Sequence, residues 1–131
     1  MGVSNRVLVR AKYRTRLYLA QNNTCYLCEK KMRHPNGDRR NRNPPHNKAT
    51  VDHVFPRSRG GYGMIGNVLL ACSSCNHEKG DRMPTPEELA YLLHINRLMR
   101  IDPIHIVDPD ILEGMTAYLE MELDLGSFPI T

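Results

Sequence analysis

The 131-residue chain lacks any run approaching the roughly 18 apolar residues needed to cross a bilayer, which excludes a membrane-spanning helix. It also lacks the apolar core of a secretory leader. Its first residues alternate Arg6 and Arg10 with Val7, Leu8 and Val9, so the expectation is a cytoplasmic protein. Cysteine is scarce, and none falls outside two C-x-x-C pairs. Acidic residues are scarce in one region only. Residues 1–82 hold 16 Lys and Arg against 5 Asp and Glu, whereas residues 83–131 hold 2 against 9. The net charge of +4 therefore hides a +11 part and a −7 part. A basic body with an acidic tail is the footprint of a polyanion binder. A composition of 40% hydrophobic and 24% charged residues is that of an ordinary folded chain of about one domain.

Cys25, Cys28, Cys72 and Cys75 form the two pairs. A two-residue gap lets both sulfurs of one pair reach the same ion. Four thiolates in a reducing compartment make a tetrahedral structural zinc site rather than two disulfides. A lone pair would read as a redox motif, and the second copy argues against that. The pairs are separated by 43 residues, 29–71, where simple zinc ribbons use about 15–20. A sizeable unit must sit between the two halves of the site.

The spacing predicts a basic helix over about 5–21, stopped by Asn22-Asn23. A polar, basic loop follows over 33–48, then a short strand over 49–54 and a Gly- and Arg-bearing turn over 56–63. An apolar strand over 68–71 leads to a short helix over 74–79 closed by Gly80. Thr85-Pro86-Glu87-Glu88 is a capping box that opens a helix to about Arg100, with Leu89, Leu92, Leu93, Asn96 and Met99 along one face. Asp108-Pro109 predicts a second tail helix to about Leu123. The domain expectation is a core of 1–82 with an acidic helical extension, 83–131, packed on it.

Asp52 and His53 end the first strand, and neighbouring strand residues point to opposite faces. One can hold a metal while the other faces a reactant. Asn76 is fixed beside Cys75. Asp and Asn offer hard oxygens, which suit Mg²⁺ or Mn²⁺. Arg57, Arg59, Lys79 and Arg82 flank these residues in sequence and suit phosphate. A metal, a basic histidine and cationic neighbours fit phosphodiester hydrolysis. His34, His46, His94 and His105 read as solvated or packing residues.

The stretches VDHVFPRSRGG, GNVLLAC and CSSCNHEKGDR, in that order, resemble the HNH endonuclease family in its zinc-knuckle branch. The resemblance covers about residues 20–82. It implies an α+β fold with a ββα-metal core stapled by the four-cysteine zinc site, flanked by an N-terminal helix and C-terminal helices. By position it implies that His53 is the general base and that Asp52 and Asn76 hold one divalent ion. Asn67 is then the middle asparagine that steadies the loop and orients His53. His77 stands beside the variant Asn76 as a further possible ligand. DNA is the implied substrate, cut by a nickase or double-strand cutter to leave 5′-phosphate and 3′-hydroxyl ends. The alternatives are a zinc-knuckle nucleic-acid-binding module without catalysis, or a nuclease subunit whose acidic tail docks on a protein partner.

Overall fold

The computed structural model describes residues 11–35, 46–63, 65–101 and 113. Most of the basic loop and the helix expected from residue 108 lie outside them, as do residues 5–10 of the expected first helix.

Helix α1 spans Ala11–Ala20 and buries Tyr13 and Leu17, four residues apart on one face. It stops where Asn22 and Asn23 take positive φ angles of 54° and 61°. Asparagine enters that left-handed region more cheaply than most side chains. The chain then turns through the first cysteine pair. Cys25 N–H donates to the Lys30 carbonyl and Glu29 N–H returns to the Cys25 carbonyl, both at 2.9 Å.

Strands β1 (Ala49–His53) and β2 (Val68–Cys72) pair antiparallel, with Ala49 opposite Cys72 and His53 opposite Val68. All five residues of β2 are buried, which explains its unbroken apolar run. Between the strands, Pro56 leads into a 3₁₀ turn at Arg57–Arg59, closed by Gly60 at φ 96°. Gly61 is demanded by packing. A Cβ there would lie 1.8 Å from the Phe55 carbonyl oxygen, so no larger residue fits without a backbone shift.

Helix α2 (Ser73–Lys79) follows β2 directly, completing a ββα unit, and packs on both strands. Helix α3 (Pro86–Met99) begins with both arms of the expected capping box. Glu88 N–H donates to Thr85 Oγ1 at 3.1 Å, and Thr85 N–H to Glu88 Oε1 at 3.0 Å. Its buried residues are Leu89, Leu92, Ile95, Asn96 and Met99; Leu93, expected on that face, is only partly buried. Leu89, Leu92, Ile95 and Met99 join Leu17, Phe55 and the β2 side chains in one core. Each such burial contributes about 1.5–3 kcal/mol. Asn96 adds a polar tie, its Nδ2 donating 2.8 Å to the Gly66 carbonyl just before β2. The fold is thus α+β, with a two-stranded antiparallel sheet and three α-helices among the described residues. No helix among them is long and apolar enough to cross a membrane.

Candidate functional site: a sulfur cluster beside an open oxygen site

The β1–β2 hairpin is the unit between the cysteine pairs, and its end returns Cys72 and Cys75 to Cys25 and Cys28. All four sulfurs lie within 4.8 Å of one another. Cys28 Sγ and Cys72 Sγ are 4.0 Å apart. A tetrahedron with metal–sulfur bonds of about 2.3 Å has edges of about 3.8 Å, so the cluster has the size of a four-thiolate site. None of the four is in a disulfide. Leu27 N–H points at Cys25 Sγ at 3.4 Å, a bond that favours the thiolate. Burial, then hydrogen bonds from Cys72 and Cys28 and the charges of Cys25 and Cys72, push the Cys75 thiol up. Such crowding suits a cation, whose charge reverses it.

Asp52 and His53 stand at the end of β1, and α2 lies along that strand. Asn76 and Lys79, three residues apart on one helix face, donate to the carbonyls of Val51 at 3.1 Å and His53 at 3.2 Å. Asn76 Nδ2 also donates to Thr50 Oγ1 at 3.0 Å. The Val51 carbonyl can only accept, so the nitrogen of Asn76 is identified and its Oδ1 faces away. That oxygen makes no hydrogen bond among the described residues. The carboxylate of Asp52 is similar. The Tyr26 hydroxyl and Lys79 Nζ, the latter at 3.3 Å, both bind Oδ2. Oδ1 carries no hydrogen bond among the described residues. Each side chain thus keeps one oxygen without a hydrogen bond among the described residues, and hard oxygens are what a divalent ion prefers. Burial holds the Asp52 carboxyl above the ordinary carboxylate range, against the opposing pulls of Tyr26, Lys79 and His53.

His53 is half-buried. Its Nε2 is enclosed without a hydrogen-bond partner, and Nδ1 is not so enclosed. Burial first, then the cations Arg57 and Lys79, lower its basicity against the pull of Asp52. The ring is thereby kept in the neutral form that accepts a proton.

Asn67 is fully buried and grips the loop after His53. Its Oδ1 accepts from Phe55 N–H at 2.9 Å, and its Nδ2 donates to the carbonyls of Phe55 at 3.0 Å and Tyr62 at 2.8 Å. Its own carbonyl accepts from Val54 N–H at 2.8 Å. The hydrogen bonds of Asn67 thus all go to backbone groups.

The flanking cations divide. Arg57 and Arg59 are exposed, Arg59 in a loose surface pair with Asp81 at 3.6 Å. Arg82 places a two-pronged fork on Glu88, at 3.1 and 3.0 Å. Lys79 departs from the expectation of a phosphate contact. Its side chain is only 1% exposed, and its ammonium is spent on Asp52 and the His53 carbonyl. His77 is exposed on α2 and is not part of the sulfur cluster.

Two residues of this region were not singled out from the sequence. Tyr26 lay hidden inside the first cysteine pair. Gln21 read only as a helix end, yet its buried amide pairs with both backbone groups of Leu70, at 2.7 and 2.9 Å.

No curated protein and no solved structure matches the chain. Residues 25–89, which carry both cysteine pairs, the hairpin, α2 and the start of α3, match the HNH endonuclease family. That segment is an HNH endonuclease-family domain.

Proposed function

We propose that the protein is a metal-dependent endonuclease that hydrolyses DNA phosphodiester bonds, with His53 as general base. The observation that supports this reading is that Asn76 of α2 is hydrogen-bonded to β1 next to Asp52 and His53, with one oxygen of Asp52 and one of Asn76 uncommitted among the described residues. Asp52 and Asn76 would hold one Mg²⁺ or Mn²⁺, and the four cysteines one structural Zn²⁺. When bound, the divalent ion supplies charge neutralisation at the scissile phosphate and at the leaving 3′ oxygen.

The chain's own residues do the rest. His53 takes a proton from water as the water oxygen attacks phosphorus, and the bond to the 3′ oxygen breaks, that oxygen taking a proton from solvent. The products are a 5′-phosphate and a 3′-hydroxyl. Asn67 keeps the backbone after His53 in one conformation, so the ring keeps its aim. Arg57 and Arg59, exposed beside the site, bind flanking phosphates. A general base is worth about 10²–10⁴ in rate. Conversion of supercoiled plasmid with Mg²⁺ or Mn²⁺ tests the reading. The wild-type protein should nick or cut it, and His53→Ala should do so slower by that factor. Equal rates would refute the assignment.

A further inference from the structure

Tyr26 belongs to the cysteine knuckle by sequence and to the oxygen site by contact. It stands between Cys25 and Leu27, so its backbone is fixed by the turn that holds the sulfurs. Its N–H also points at the Leu70 carbonyl of β2 at 3.4 Å. Its hydroxyl crosses to β1 and donates to Asp52 Oδ2, 26 residues away. The same oxygen accepts from Lys79, which is anchored at the far end of α2. Two donors, one from the knuckle and one from α2, thus hold one carboxylate oxygen and leave the other without a hydrogen bond among the described residues. A carboxylate gripped at a single point could rotate and present either oxygen; two grips fix which one is offered.

We propose that Tyr26 is a positioning residue that transmits the geometry of the four-cysteine site to Asp52, so that divalent-ion affinity depends on an intact knuckle. This rests on the reading of Asp52 as a metal ligand. Hydrogen-bond partners of ligating carboxylates commonly account for 10–100-fold in metal affinity. Lys79 alone cannot substitute, because it approaches from the helix and not from the knuckle.

The test is Mn²⁺ binding to the zinc-loaded full chain, measured by calorimetry without DNA, for wild type, Tyr26→Phe and Asp52→Asn. Tyr26→Phe keeps the ring and removes only the donor; zinc content and the thermal transition report that the knuckle and fold are intact. Tyr26→Phe should weaken Mn²⁺ binding about tenfold with one zinc still bound, and the Mn²⁺ concentration for half-maximal cleavage should rise in parallel. If Asp52→Asn loses Mn²⁺ binding while Tyr26→Phe keeps wild-type affinity, the positioning role is overturned and the ligand assignment stands. If Asp52→Asn itself binds like wild type, the ligand assignment falls, and this inference with it. As a check independent of the Tyr26 side chain, Cys28→Ser should also weaken Mn²⁺ binding in the fraction that stays folded. Unchanged affinity there would show that the knuckle does not govern Asp52.

Discussion

The sulfur cluster and the oxygen site share strands and helices but are built on opposite plans. The sulfur cluster is closed, with four sulfurs within 4.8 Å of one another, enough for a complete tetrahedral set from the chain alone. The oxygen site is only partly committed. Asp52 and Asn76 have their other polar atoms tied back to Tyr26, Lys79, Thr50 and Val51, which leaves one oxygen of each without a hydrogen bond among the described residues. Closed coordination suits stability, and open positions suit catalysis. The contrast extends to the cations. Lys79 is buried against Asp52, whereas Arg57 and Arg59 are exposed.

The largest expected effect breaks the closed site. Cys72→Ser removes a buried ligand and should cost the bound zinc and the folded state together, since apparent binding energies of such sites reach about 10–16 kcal/mol. Zinc content and a thermal melt check it; both unchanged would show that the cluster holds no structural ion.

Next come the two kinds of ion pair. Lys79→Ala strands a buried carboxylate and should destabilise by about 3–5 kcal/mol. Arg59→Ala removes a surface pair and should cost under about 1 kcal/mol. Urea unfolding of both variants measures the difference. Similar values would erase the distinction between the two sets of cations.

Asn67→Ala should fall between these, at about 2–3 kcal/mol, because the backbone groups of Phe55 and Tyr62 lose buried partners. It should also lower the cleavage rate, although Asn67 never meets the substrate. A stable variant with full activity would mean that the loop holds His53 without it.

The smallest effect concerns the exposed cations. DNA affinity should fall with salt at a slope of about 0.9 per phosphate contact, and Arg57→Ala should reduce that slope by about one contact. A salt-independent affinity would contradict a role for the basic surface.

Much of this was legible because it depends on local signals. The capping box at Thr85 needs only residues three apart, and the stop at Asn22-Asn23 needs only a side chain tolerant of positive φ. Asn67 stood out only by its place in the family resemblance, and its side chain bonds to the backbone of Phe55 and Tyr62. The inward turn of Lys79 was not readable, since a lysine in the last turn of a short helix ordinarily faces water. Asp52 and the His53 carbonyl, 27 and 26 residues earlier, draw it in. Tyr26 and Gln21 escaped for the same reason: their partners, Asp52 and Leu70, are distant in sequence. Ile95 completes a face that the spacing had assigned in part to Leu93. Polar side chains buried by long-range pairing leave no periodic trace.

In the proposed mechanism His53 moves the proton while Asp52 holds the ion. Cleavage rate measured against Mg²⁺ or Mn²⁺ concentration, for wild type, His53→Ala and Asp52→Asn, separates the two roles. His53→Ala should stay about 10²–10⁴ slower at every concentration with an unchanged half-saturation point, and Asp52→Asn should shift that point upward. Recovery of the wild-type rate by His53→Ala at saturating ion would contradict the account.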